Sequence, residues 1–226
     1  MKKSFWILPF LIVLPAIAVI PQFWEVRTYD EFRQGKLNGL SIRSGGELVL
    51  APRFDLLFDT RETLIFDAAA DSIGNVFLGT GHDGKIYRLD SNGNGEVFSD
   101  LEELDVLALA VDLEDRLFAA TSPGGKVYRI ERDGSKEIFF DPEAKYIWSL
   151  VFGETGDLFV ATGNEGIIYV VSPDGEGRIF YDSEEIHIIT MAFDSKGNLF
   201  AGGNPKGYIY KISKDGRPFV LYDSGM

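Results

Sequence analysis

Gly156-Asp157-Leu158-Phe159-Val160-Ala161-Thr162-Gly163-Asn164-Glu165-Gly166-Ile167-Ile168-Tyr169-Val170-Val171 reads as two short apolar runs joined by a glycine turn. β-branched and aromatic runs of this length, bounded by Gly and Asn, predict strand, turn, strand. Along the first run Leu158 and Val160 point one way, Phe159 and Ala161 the other. A sheet with one wet face alternates apolar with polar residues, so this strand expects protein on both faces. The same frame returns through the chain. Phe77, Phe118, Phe159 and Phe200 stand 41 residues apart, as do Tyr87, Tyr128, Tyr169 and Tyr210, and Gly84, Gly125, Gly166 and Gly207. A period of roughly 40–45 residues with strand patterning predicts β-propeller blades of about four strands each.

Working outward, Tyr146–Phe152 predicts strand a, Asp157–Thr162 strand b, Ile167–Val171 strand c and Arg178–Asp182 strand d. The turns are Gly153–Gly156, Gly163–Gly166 and Pro173–Gly175, the last containing the Asp-Gly pair that hairpins favour. Asp59, Asp100, Asp141, Asp182 and Asp223 end five predicted d strands, and these aspartates suit a turn or cap better than a ligand site. Four blades are complete: 60–100, 101–141, 142–182 and 183–223. Residues 39–59 give a partial blade, with Leu40–Ile42 and Leu48–Ala51 as strands a and b and Leu56–Asp59 as strand d. The fold class expected is all-β, a propeller of four full blades plus a partial N-terminal one. An unpaired edge invites aggregation, so rings close. Either the partial blade completes a five-bladed ring or the sequence is a fragment of a larger propeller, and the absence of a new strand a after Asp223 favours the fragment.

The chain has 226 residues, 25 glycines and 13% aromatic residues, which suits an all-β domain rich in turns. With a net charge of −13 it repels phosphate backbones, so nucleic acid is not an expected partner. Having no cysteine, it has no disulfide, thiolate metal site or cysteine nucleophile. Lys2 and Lys3 precede the uncharged run Phe5–Ile20, and Ala16-Ile17-Ala18 has the small-x-small form of a cleavage site. Residues 1–18 therefore predict a secretory signal peptide, with 19–38 as an extension and 39–226 as the propeller domain. The alternative is an uncleaved anchor, which would supply the one membrane attachment. Either puts the rest of the chain outside the cytoplasm, in the periplasm or secreted.

The blade text resembles bacterial exported propeller proteins of the WD40-like, NHL-like and SMP-30/lactonase-like kinds. The resemblance rests on Gly74–Gly81, Gly84–Arg88, Gly125–Ile130 and Gly197–Gly202. The Trp-Asp pair that would end strand c in a true WD40 blade is replaced here by Tyr-Arg or Tyr-Lys. These motifs are specific for blades and nearly silent on chemistry.

Function belongs where the repeats differ. The constant glycines are expected to need positive φ in the b–c turn. In a propeller the b–c and d–a loops surround one channel mouth, where ligands bind. At that mouth the varying positions give His82, Asp105, Tyr146, Asn164, Glu165 and His187 as binding candidates, and Asp67, Ser149 and Thr190 as channel-lining candidates. Glu102-Glu103, Glu143 and Glu184-Glu185 make an acidic rim able to attract a cation or a basic partner. Asp67 lies in an otherwise apolar strand, so it either faces channel water or bonds a neighbouring blade.

No G-x-S-x-G, H-E-x-x-H, phosphate-binding loop or dinucleotide fingerprint occurs. Asp90–Gly95 has oxygens at calcium-like spacing but lacks the distal Glu. The expected function is therefore a non-catalytic extracytoplasmic binding or scaffold module for a protein, peptide or glycan, with no cofactor. One alternative is a lactonase- or lyase-like enzyme using a divalent metal held by Asp67, Asp105, Asn164 and His187. The other is a sensor or assembly segment of a larger envelope protein.

Overall fold

A computed structural model describes residues 25, 28, 30–31, 34–35, 37–52 and 55–225. The predicted signal peptide falls outside them. The chain divides into two compact units, Met1–Asp55 and Leu56–Met226. In the first, β1 (Leu40–Ile42) pairs antiparallel with β2 (Leu48–Leu50), the two strands predicted there.

The second unit carries the repeat. Its first blade is β3 (Ile65–Ala70), β4 (Val76–Thr80), β5 (Lys85–Leu89) and β6 (Gly95–Asp100). Next come β7 (Asp105–Val111), β8 (Leu117–Ser122), β9 (Val127–Ile130) and β10 (Lys136–Phe140). The third blade is β11 (Tyr146–Phe152), β12 (Leu158–Gly163), β13 (Ile167–Val171) and β14 (Gly177–Asp182). The fourth is β15 (His187–Phe193), β16 (Leu199–Asn204), β17 (Tyr208–Ile212) and β18 (Pro218–Asp223). Each is an antiparallel meander in sequence order. Strand a of each blade packs against strand a of the next: β3 on β7, β7 on β11, β11 on β15. One backbone pairing, Gly163 with His187, joins the last two sheets.

Burial follows from that stacking. Every residue of β8 and of β12 is buried, whereas β18 is exposed throughout. The constant phenylalanines tie blades together: Phe118 meets Phe139 of its own strand d and Phe152 of the next strand a, both edge-on with centroids 5.0 and 5.1 Å away. Phe159 repeats this with Phe180 and Phe193 at 5.0 Å each. Such edge contacts add about 0.5–1.5 kcal/mol each beyond area burial.

One predicted strand is absent. Leu56–Asp59 are not strand, because no strand c lies in front of them to pair with. They still hold the place of a strand d. The Leu57 carbonyl faces Gly93, as the Phe98, Phe139 and Phe180 carbonyls face Gly134, Gly175 and Gly216. The aspartates that follow the d positions hold the next turn of chain: Asp59, Asp100, Asp141 and Asp223 each accept the backbone N–H two residues on.

The b–c glycines have φ of 59, 57, 61 and 71° at Gly84, Gly125, Gly166 and Gly207. A second reason for glycine lies in the next blade: a Cβ at Gly84, Gly125 or Gly166 would run into the carbonyl oxygen of Glu103, Ala144 or Glu185. Gly125→Ala should therefore destabilise the protein by at least about 2 kcal/mol, since left-handed backbone and backbone collision add. Gly156→Ala (φ 85° but no atom within 4 Å) should lose only about 1–2 kcal/mol, and urea unfolding of the two variants separates the terms.

Candidate functional site

The loop end of the inner strands holds most of the residues singled out from sequence, and much of their polarity is spent on joining blades. Asp67 is half-buried on β3 beside a bulge between Ile65 and Asp67. Its Oδ2 accepts the Leu109 backbone N–H from the next inner strand at 2.7 Å, and its Oδ1 accepts that of Ala68 at 2.8 Å. Two blades on, the Ser149 Oγ accepts the Met191 backbone N–H at 3.2 Å. Between them Ala108 offers no acceptor, and Thr190, the fourth of the series, is exposed on β15.

The b–c turns alternate in the same way. His82 and Asn164 have positive φ, 76 and 77°, and their backbone N–H groups point to the next blade. His82 donates to Asp105 Oδ1 at 3.1 Å, and Asn164 to His187 Nδ1 at 3.4 Å. In the second and fourth blades these places are Pro123 and Pro205, which have no N–H to donate. Tyr146 takes the place of Asp105 beside the Pro123 turn, and among the described residues no hydrogen bond joins it to that turn. A buried Thr closes each of the first three turns from inside: Thr80, Thr121 and Thr162 donate to the Lys85, Lys126 and Ile167 carbonyls at 2.8, 3.2 and 2.9 Å. In the fourth blade Gly203 replaces that Thr, and Glu185 accepts the backbone N–H groups of Lys206 and Tyr208 instead, at 2.9 and 3.3 Å.

The predicted acidic rim is thus thinner than its sequence. Glu185 is only 3% exposed. Glu103 accepts the Tyr128 hydroxyl at 3.1 Å, and Glu62 that of Tyr87 at 2.7 Å. Glu102, Glu143 and Glu184 remain exposed, Glu184 with Lys206 at 2.8 Å. Burial, then the Glu103 charge and hydrogen bond, push the Tyr128 phenol up to about 12. Burial foremost also raises Tyr210 and Tyr87.

A half-buried aromatic cluster forms between the third and fourth blades. Tyr146 and Trp148, two apart on β11, stack with centroids 5.2 Å apart and planes 17° from parallel. His187, opening β15, stands edge-on to both, at 6.2 and 5.8 Å. The Trp148 indole N–H donates to His187 Nδ1 at 3.2 Å. With two donors on Nδ1, the ring proton sits on Nε2, which makes no hydrogen bond among the described residues. Asn164 and Glu165 lie exposed beside the cluster, and the Lys145 ammonium sits 5.1 Å above the Tyr146 ring. Gly163 makes the cluster possible, since a Cβ there would touch the His187 and Trp148 nitrogens at 2.5 Å. Sequence reasoning passed over Trp148 as one more strand residue. The signal was present in the series Phe66, Leu107, Trp148, Ile189, where the third blade alone carries a ring with a polar atom.

Among the described residues no group of three or more His, Asp or Glu is placed to share a metal ion. Asp67 and Asp105 already hold backbone N–H groups. Asp90 accepts the Asn92 and Asn94 backbone N–H groups and the Asn94 amide, all at 2.8–2.9 Å, so its calcium-like spacing builds a turn.

No protein-family model and no curated protein matches the chain. Solved structures do. Virginiamycin B lyase from Staphylococcus aureus superposes with a TM-score of 0.62 at 15% identity over 71% of this chain and 56% of its own. A chain of the nidogen/laminin complex gives 0.58 at 18% over 66% and 62%, and a putative gluconolactonase 0.57 at 15% over 81% and 70%. The chain spans little more than half the length of the lyase. At these identities the likeness is one of fold, and the class it defines is the β-propeller.

Asp67→Ala should destabilise the protein by about 1–3 kcal/mol, because it leaves a part-buried N–H of Leu109 without its acceptor. Asp67→Ser, which copies Ser149, should recover part of that loss in urea titrations. The raised tyrosines predict alkaline lability. Their un-ionised form is favoured by folding, so the associated stability is whole below pH about 10 and is lost as pH rises toward about 12. Tyr128→Phe should remove one late-titrating phenol from the ultraviolet absorbance titration.

Proposed function

We propose that this chain is a non-catalytic, extracytoplasmic binding propeller that takes a protein, peptide or glycan at the b–c and d–a loop end. The observation carrying this reading is the half-buried Tyr146–Trp148–His187 cluster, in which rings from the third and fourth blades meet at that end. Tyr and Trp offer large contact area at small entropic cost and keep a polar atom for orientation, which makes them frequent anchors of binding surfaces. The His187 Nε2–H adds a donor beside them. Asp67, Asp105 and Glu185, the groups a hydrolytic or lyase site would draw on, are committed to backbone donors. Export follows from Lys2-Lys3, the apolar run and Ala16-Ile17-Ala18.

The test is a glycan and peptide array probed with the purified chain and with Trp148→Ala and His187→Ala. Ligands held by wild type should lose about ten- to a hundredfold in affinity with Trp148→Ala. His187→Ala should lose less, because it removes one wall and one donor. Array ligands bound equally by all three proteins would refute this placement of the site.

A further inference from the structure

Grooves open between neighbouring blades at the opposite end, among the a–b and c–d turns. The groove between the first two blades has a volume of about 190 Å³, and its counterpart two repeats on, between the third and fourth, about 210 Å³. They are built from corresponding residues and differ in their charges. In the first, Arg88 pairs with Glu96 across strands c and d, and its guanidinium lies 4.8 Å over the Phe98 ring. The second blade keeps the same cross-strand pair as Arg129 with Glu137. In the third blade the pair becomes Val170 and Arg178. The cation has moved to strand d, and its acid has gone. Among the described residues Arg178 makes no ion pair and no side-chain hydrogen bond, and no cation covers the Phe180 ring. The acids of the groove are already engaged: Glu154 with Lys214 at 2.9 Å, and Asp157 with the Thr155 hydroxyl at 2.6 Å.

We infer that the groove between the third and fourth blades is a second binding site, selective for an aromatic ring carrying a carboxylate on a short arm. Phe159, Phe180 and Phe193 meet edge-on at 5.0 Å and form its apolar wall, which Val170 extends. Arg178 stands at its rim with its planar fork of donors unspent, the geometry that suits a carboxylate. A space of this size accepts about one six-membered ring with a few further atoms. The first groove differs, since Arg88 is neutralised there and covers the ring itself, Arg132 donates to the Glu114 carbonyl at 3.4 Å, and Val111 stands where Phe193 does.

The probe is 3-phenylpropanoate, titrated calorimetrically into the full chain, with its primary amide as the uncharged control. Saturable binding at one site per chain is expected, with the amide at least about tenfold weaker. Arg178→Glu, which restores the charge of the Glu96 position, should weaken the carboxylate by at least the same factor. Phe193→Val, which copies Val111, should weaken acid and amide alike. Arg178 is exposed on an outer strand, so its variant should keep the wild-type melting midpoint and read binding alone. No saturable binding, equal affinity for acid and amide, or an Arg178→Glu variant that binds like wild type would each overturn the assignment. The Tyr146 and Trp148 cluster takes no part, so array results there neither help nor harm it.

Discussion

No blade of this protein can cover itself. A four-stranded meander has two faces, and strand b of each repeat is apolar on both, so each sheet is stable only between neighbours. That requirement accounts for most of the constant positions. The b–c glycines let the next blade's d–a loop pass against the turn, the c–d glycines let the previous strand d lie across them, and the strand b phenylalanines reach from one sheet into the next. Even Leu56–Asp59, which form no strand, keep their place because the first blade needs something against Gly93 and Gly95.

Polar groups obey the same constraint. Just past the bulges of β7 and β15, a backbone N–H turns toward the preceding blade, and a side chain there accepts it. Asp67 and Ser149 do so for Leu109 and Met191, and Asp105 and His187 do so for the b–c turns. These residues attract attention in the sequence because they vary between repeats and carry functional groups. Much of their variation is the business of fitting one blade to the next. What is left over is the Tyr146 and Trp148 rings at one end and, at the other, Arg178, which among the described residues has no ion pair, at the rim of the Phe159, Phe180 and Phe193 groove; the two proposed sites rest on these.

The architecture was legible because a 41-residue frame without slips fixes strand order, and because two-faced apolar strands admit few arrangements. Strand b of the third repeat was placed within a residue of its observed bounds, and strand c matched them. Leu56–Asp59 misled because a strand needs a partner as well as a pattern. Asp67 left two readings open, since sequence shows that a carboxylate is buried but not which N–H it meets. Glu185 resembled its exposed neighbour Glu184, and only the loss of Thr at Gly203 hinted that it is drawn inward to accept the Tyr208 N–H, as Thr162 accepts that of Ile167. The Tyr146–Trp148–His187 cluster joins residues about 40 apart, a proximity that exists only once blades stand side by side.

The alternation of b–c turns has a consequence for the number of blades. The His82 turn offers an N–H that the following blade must accept, whereas the Pro123 turn offers none. Excising residues 101–141 would bring His82 against Tyr146 in place of the Asp105 carboxylate that accepts its N–H. Excising 101–182 would bring it against His187, which already accepts such a group from Asn164. Removing or adding blades two at a time keeps each turn N–H opposite a side chain that accepts it in the present structure, whereas a single blade changes the partner.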